Sequence, residues 1–240
     1  MYPVLISIGP LHLSSFSVFL VLAWCVFSFV FWKSLRSQGV EDDRIFDLTF
    51  YSTLAALVGA RAGLVAMNFH LFADTLLKIA AIWVQPGLSF YGGLVGAMVT
   101  LILMSRSAKV RLGYVLDAIA IALPAALIPG AIGTFLDGST IGKAVKLPWA
   151  MRYVGHVGRR HPIQLYELVV FVVLVILVVL LQRAAQRRKW PYGLLGVVFF
   201  LLFSPVMFLL EFVRDGGVYF KFISANQWIL VGWWTELDFR

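Results

Sequence analysis

Long uncharged stretches divide this 240-residue chain. No Asp, Glu, Lys or Arg occurs in 4–32, 79–105, 118–136, 168–181 or 192–210, and the run 46–69 carries only Asp47 and Arg61. A helix that crosses the hydrocarbon core of a bilayer needs about 20 apolar residues, because lipid offers an unpaired backbone group no partner. The pattern predicts seven helices, near 12–32, 46–69, 88–105, 112–133, 162–182, 192–213 and 225–238. The seventh is short, since its apolar run covers only 226–234. The expected fold is an all-α integral membrane protein. The first run lacks a basic leader and a small-residue cleavage site, so it reads as a retained span and not as a signal peptide. With no internal repeat, low-complexity segment or long linker, residues 1–240 read as a single membrane domain.

Composition agrees with the pattern. Hydrophobic residues make up 61% and charged residues 13%, against about 45–50% and 25% in soluble domains. A soluble enzyme, a disordered chain and a disulfide scaffold are excluded; the one cysteine, Cys25, cannot form an internal bridge. The net charge of +8 sits between apolar runs, which points to anionic lipid and not to nucleic acid.

Basic residues in short loops set orientation. Alternate loops carry Lys33, Arg36 and Arg44; Arg106, Lys109 and Arg111; and Arg183, Arg187, Arg188 and Lys189. These face the cytoplasm, which puts the N-terminus outside and, with seven spans, the C-terminus inside. The opposite face holds Lys78, Arg214, Lys221 and a long basic extracytoplasmic loop, 134–161, with Lys143, Lys146, Arg152, Arg159 and Arg160. Such a loop is either a long segment that tolerates charge regardless of topology or a basic lid for anionic head groups.

Ionisable side chains inside spans are costly, so each is a candidate for function. Arg61 lies midway along the second span beside Gly59, Ala60 and Gly63. It suits a phosphate, through bidentate donation, or an intramembrane acid such as Asp117. His161, Gln164 and Glu167 follow at i, i+3 and i+6, a polar stripe that either lines a cavity or joins helices. Glu211 and Arg214 form an i, i+3 ion pair without help from a substrate, and Cys25 reads as a small apolar filler. Glycines cluster at Gly92, Gly93 and Gly96 and at Gly130 and Gly133, where a backbone can approach a ligand or another helix. No metal-ligand cluster or serine-type triad is visible, and no cofactor is expected.

Taken in order, these landmarks resemble the prolipoprotein diacylglyceryl transferase family, enzymes of the bacterial inner membrane. The resemblance rests on Ser7-Ile8-Gly9-Pro10, Gly59-Ala60-Arg61, the segment from Ser89 to Gly96, the spacing from Gly130 to Gly142, Leu147-Pro148-Trp149-Ala150, and Glu211-Phe212-Val213-Arg214. Its most specific part is His161-Pro162-Ile163-Gln164-Leu165-Tyr166-Glu167. It implies transfer of a diacylglyceryl group from phosphatidylglycerol to the thiol of a lipoprotein precursor's lipobox cysteine, with glycerol phosphate released. The partners are then an anionic phospholipid and that precursor. For that reaction Tyr91 or His161 is the candidate for proton transfer, and Arg61, Lys143, Arg152 and Arg214, with Gly92 and Gly93, are the candidates for the lipid phosphate, standing in for family residues that this chain lacks. Asp117, Gln164, Tyr166, Glu167 and Glu211 are structural polar positions.

Several polar positions depart from the family pattern. Arginine is replaced by Ala131 and Met207, asparagine by Thr134, glutamate by Ser139 and histidine by Tyr91, and Ser14-Ser15-Phe16-Ser17 stands where the family has His-Trp-Tyr-Gly. Two functions fit this sequence: a divergent transferase, or a catalytically silent relative that binds anionic phospholipid or a membrane partner.

Overall fold

A computed structural model describes residues 2, 4–8, 11–72, 77–81 and 87–215. The predicted short span near 225–238 lies outside the described residues, as do Lys221 and the Gly9-Pro10 pair. Six helices are long and apolar enough to cross a membrane: α1 (Ser15–Ser37), α2 (Asp42–Met67), α4 (Phe90–Ser107), α5 (Leu112–Asp137), α6 (Ile163–Arg188) and α7 (Leu194–Glu211). A short helix, α3 (Leu77–Ala80), lies between α2 and α4. The chain is thus an integral membrane protein whose spans are helical. Large apolar side chains such as Val21, Val58, Val95 and Val169 are exposed on the helices, as lipid-facing residues are.

The spans are displaced from the predicted ones. The first begins three residues later than expected and runs on through Lys33 and Arg36, and the fifth continues to Arg188. Long basic side chains at a helix end reach the water while their stems stay apolar, so charge alone does not stop the helix. Residues 12–14, read as the start of the first span, belong to a ribbon in which β1 (Val4–Ile8) pairs antiparallel with β2 (Leu11–Ser14). A second ribbon pairs β3 (Met151–Arg152) with β4 (Arg159–Arg160). The Ser14 hydroxyl accepts from the Ser17 amide at 3.1 Å and so caps α1.

The described residues form two compact units, one drawn from 1–31 and 116–240 and the other from 32–115. In the second unit, α2 and α4 approach through facing small residues. A Cβ on Gly92 would lie 2.9 Å from the Gly63 Cα, and one on Gly59 would lie 3.2 Å from the Gly96 Cα. Both helices therefore need glycine at four-residue spacing, the arrangement that lets backbones pack closely in lipid.

In the first unit, one face of α6 is buried along its length by Gln164, Glu167, Phe171, Leu174 and Val178. The lower part of that face joins Ala120, Leu195 and Phe199 in an apolar cluster. α6 stops at Lys189, whose φ of 51° is the left-handed conformation that ends helices. α7 then starts just after Gly193, and a carboxylate from α5 completes its N-terminus: Asp117 accepts from the Gly193 amide at 2.8 Å and the Gly196 amide at 2.9 Å. Those amides lack intrahelical partners, and the positive end of the helix favours an anion.

Candidate functional site

The other end of the first unit is built by the loop between α5 and α6. Segment 141–145 is clamped on both sides by backbone bonds. Lys143 donates to Val213 O at 2.9 Å and Asp215 to Ile141 O at 2.8 Å; on the other edge His161 donates to Lys143 O at 3.2 Å and Val145 to Arg159 O at 2.9 Å. A Cβ on Gly142 would lie 2.6 Å from the His161 Cβ, so only glycine fits beside this chain crossing.

Side chains tie the clamp to α6. Gln164 is fully buried, donates to Thr140 O and accepts from the Tyr153 hydroxyl at 2.9 Å. Tyr166 accepts from the Trp149 indole at 2.7 Å, and its hydroxyl lies 3.2 Å from His161 Nδ1. Arg214 donates to Glu167 at 2.8 Å and stands 3.3 Å from Glu211, and Arg160 pairs with Asp215. Burial raises the Tyr153 phenol above its ordinary range, with Tyr166 adding to the shift.

The stripe predicted from His161, Gln164 and Glu167 is therefore real on α6 from Gln164 onward, while His161 precedes the helix. Gln164 and Glu167 join the loop and the end of α7 to α6, the gluing alternative. The Glu211–Arg214 pair forms as the spacing suggests. Sequence spacing did not reveal that Arg214 bridges to Glu167, 47 residues away, or that Tyr153 reaches Gln164. The side chains of Lys143 and Arg152 are exposed on the loop. Asp117 is elsewhere: it lies 20 residues before the end of α5, about 30 Å along the axis.

Arg61, Tyr91, Gly92 and Gly93 belong to the second unit. Arg61 is buried and donates from Nε to Ile79 O at 2.7 Å, from Nη2 to Lys78 O at 2.7 Å and from Nη1 to Gly87 O at 3.2 Å. Its guanidinium carbon also lies 5.2 Å from the Phe72 ring centroid. These acceptors are backbone carbonyls, and Asp117, the acid weighed as a partner, binds the Gly193 and Gly196 amides instead. Gly92 and Gly93 have a packing reason to lack a side chain: a Cβ on Gly93 would lie 3.2 Å from Ala56 O. Tyr91 stands in the first turn of α4, edge-on to Phe90.

The departures from the family pattern have structural counterparts. Ala131 is buried with Phe171 and Leu174, and Met207 packs against the same cluster. Two positions where the resemblance expects arginine thus belong to one apolar cluster, beside α6's change from polar to apolar. Thr134 turns its hydroxyl back to Ala131 O at 3.0 Å.

Comparison with known proteins fits this frame. The model of a family described as prolipoprotein diacylglyceryl transferase matches residues 3–234. Relatives named phosphatidylglycerol--prolipoprotein diacylglyceryl transferase include one from Aeromonas hydrophila, 31% identical over 236 residues, covering 94% of this chain and 84% of that protein. The one from Bordetella avium is 32% identical over 240 residues, with 95% and 88% covered. The one from Photobacterium profundum is 32% identical over 236 residues, with 94% and 86% covered. Six membrane-length helices and a match over nearly the whole chain lead to one conclusion: this protein is a member of the prolipoprotein diacylglyceryl transferase family.

Proposed function

We propose that this chain transfers a diacylglyceryl group from phosphatidylglycerol to the cysteine thiol of a lipoprotein precursor. The observation that carries the reading is the near full-length match to a family whose relatives are named for that donor and acceptor. In the reaction, the precursor's sulfur forms a bond to the terminal glyceryl carbon of the diacylglycerol. The carbon–oxygen bond to the phosphate breaks, and its electron pair leaves with glycerol phosphate. The thiol proton must go to a base, and the departing phosphate needs cations.

His161 is the proton acceptor in this proposal. Its Nδ1 lies 3.2 Å from the Tyr166 hydroxyl, which orients the ring and leaves Nε2 for the thiol. Lys143 and Arg152, exposed on the loop, supply positive charge for the phosphate. Arg214 acts as a positioning residue, because two carboxylates already occupy it. Cys25 has no part, since the attacking thiol belongs to the precursor.

The proposal extends to topology. One membrane domain with seven spans, an outer N-terminus and a cytoplasmic C-terminus puts the 134–161 loop outside the bacterial inner membrane, where precursors emerge. Basic residues at the ends of α1, α4 and α6 support that orientation.

Expression in a strain depleted of its own transferase tests the function. Restored growth and lipid-modified precursor are expected, and His161→Ala is expected to lower the modification by at least tenfold. Absence of modification despite good membrane expression contradicts the proposal.

A further inference from the structure

Of the β3–β4 hairpin the transfer proposal uses only Arg152, and leaves its partner Arg159 and the tip unexplained. Arg152 is directly paired across the ribbon with Arg159. Directly paired residues project on the same side of a ribbon, and like charges there repel. Both arginines are exposed, and among the described residues neither has a side-chain hydrogen bond or ion pair. No acidic residue occurs from 138 to 162, which holds five lysines and arginines. The charge repulsion is therefore unrelieved within the loop, and an anion between the two guanidinium groups removes it.

The hairpin tip exposes two valines, on either side of Gly155 and His156. Val154 is 88% and Val157 93% exposed, whereas Tyr153 between Arg152 and Val154 is only 3% exposed and anchored on Gln164. Trp149 is also exposed, and its indole is held by Tyr166 in the first turn of α6. Arg159 precedes the first residue of α6 by four positions, so it lies within about 14 Å of the start of a span. Cations and an indole at that level, with valines beyond, match the order of phosphates and acyl chains at a bilayer surface.

We propose that this hairpin docks onto the bilayer that holds the protein. Arg152 and Arg159 grip the phosphate of an anionic phospholipid, and Val154 and Val157 enter the acyl region. This deepens the phospholipid reading of the loop, and its test is read without turnover, so loss of transfer and loss of docking are separable.

The experiment uses the full chain with Cys25→Ala and Val154→Cys, spin-labelled at the new thiol, in nanodiscs. Collision with a water-soluble nickel chelate is measured in phosphatidylcholine with and without phosphatidylglycerol. At least threefold lower collision is expected with phosphatidylglycerol present. Arg152→Gln with Arg159→Gln is expected to abolish that difference, while lysine at both positions keeps at least half of it. Hydrogen exchange at the Val145 amide, bonded to Arg159 O, reports that β4 keeps its place against segment 141–145 in each variant. Equal nickel collision with and without phosphatidylglycerol in the arginine protein overturns the proposal by itself. A lipid response that persists unchanged in a glutamine variant that keeps this bond also overturns it.

Discussion

Two stretches of one buried face of α6 differ sharply. At Gln164 and Glu167 every neighbour described above is polar: a backbone carbonyl, a phenol, an arginine. At Phe171 and Leu174, one turn further, the neighbours are Ala131, Met207, Leu127 and Phe203. The change occurs over four residues, about 6 Å of helix. The polar part joins three separate chain segments and cannot lose a member without stranding a buried group. The apolar part meets the positions where the family pattern has arginine. The chain thus keeps the polar frame at the loop end and has an apolar cluster where the family resemblance leads one to expect arginine.

The strongest way to break this contrast is to put charge into the apolar part. Ala131→Arg with Met207→Arg forces two guanidinium groups against Phe171 and Leu174. A loss of about 5 kcal/mol or more is expected, with little folded protein recovered in detergent, because a buried charge without a partner is strongly destabilising. Recovery of a normally stable double variant means that the site opens to water or to an anion, and the contrast fails.

Removing charge from the polar part costs less. Glu167→Leu leaves Arg214 with Glu211 alone, and a loss of about 3 kcal/mol is expected in a denaturant titration. The neighbouring change Val169→Leu, on an exposed position, is expected to fall within about 0.5 kcal/mol. Similar losses for the two variants remove the case for a cooperative polar frame.

The smallest effect sharpens the comparison at its edge. Tyr153→Phe removes one hydrogen bond to Gln164, and about 1 kcal/mol is expected. Because folding raises the Tyr153 phenol, the folded state binds this proton more tightly than the unfolded one. The stabilisation is complete below the unfolded value near pH 10 and is lost as pH rises through the folded value. The difference in melting temperature between the native protein and Tyr153→Phe is expected to shrink above about pH 10. A constant difference contradicts the assigned burial.

Much of the frame was legible because spans and local pairs write themselves into sequence. Five uncharged runs, with the run 46–69 that carries only Asp47 and Arg61, located all six described spans, and the i, i+3 spacing identified Glu211 with Arg214. The 164, 167, 171, 174, 178 face follows from helical periodicity. What stayed hidden had partners without a sequence signature. Asp117 and Arg61 bind backbone groups, which no inventory of side chains reveals. Glu167 meets Arg214 only because the end of α7 folds back against segment 141–145. The first ribbon was missed because 4–14 continues an apolar run, although Gly9-Pro10 is a turn signal. The apolar setting of Ala131 and Met207 required knowing that α5 and α7 meet the same turn of α6.

Transfer itself is the most direct test. The purified full-length protein, in liposomes with phosphatidylglycerol labelled in its acyl chains, is given a lipobox peptide, and peptide mass and label are followed. The account predicts that diacylglyceryl appears on the peptide's cysteine and is absent when that cysteine is replaced by serine. Unmodified peptide from a folded protein, under conditions where the Bordetella avium relative modifies it, contradicts the account.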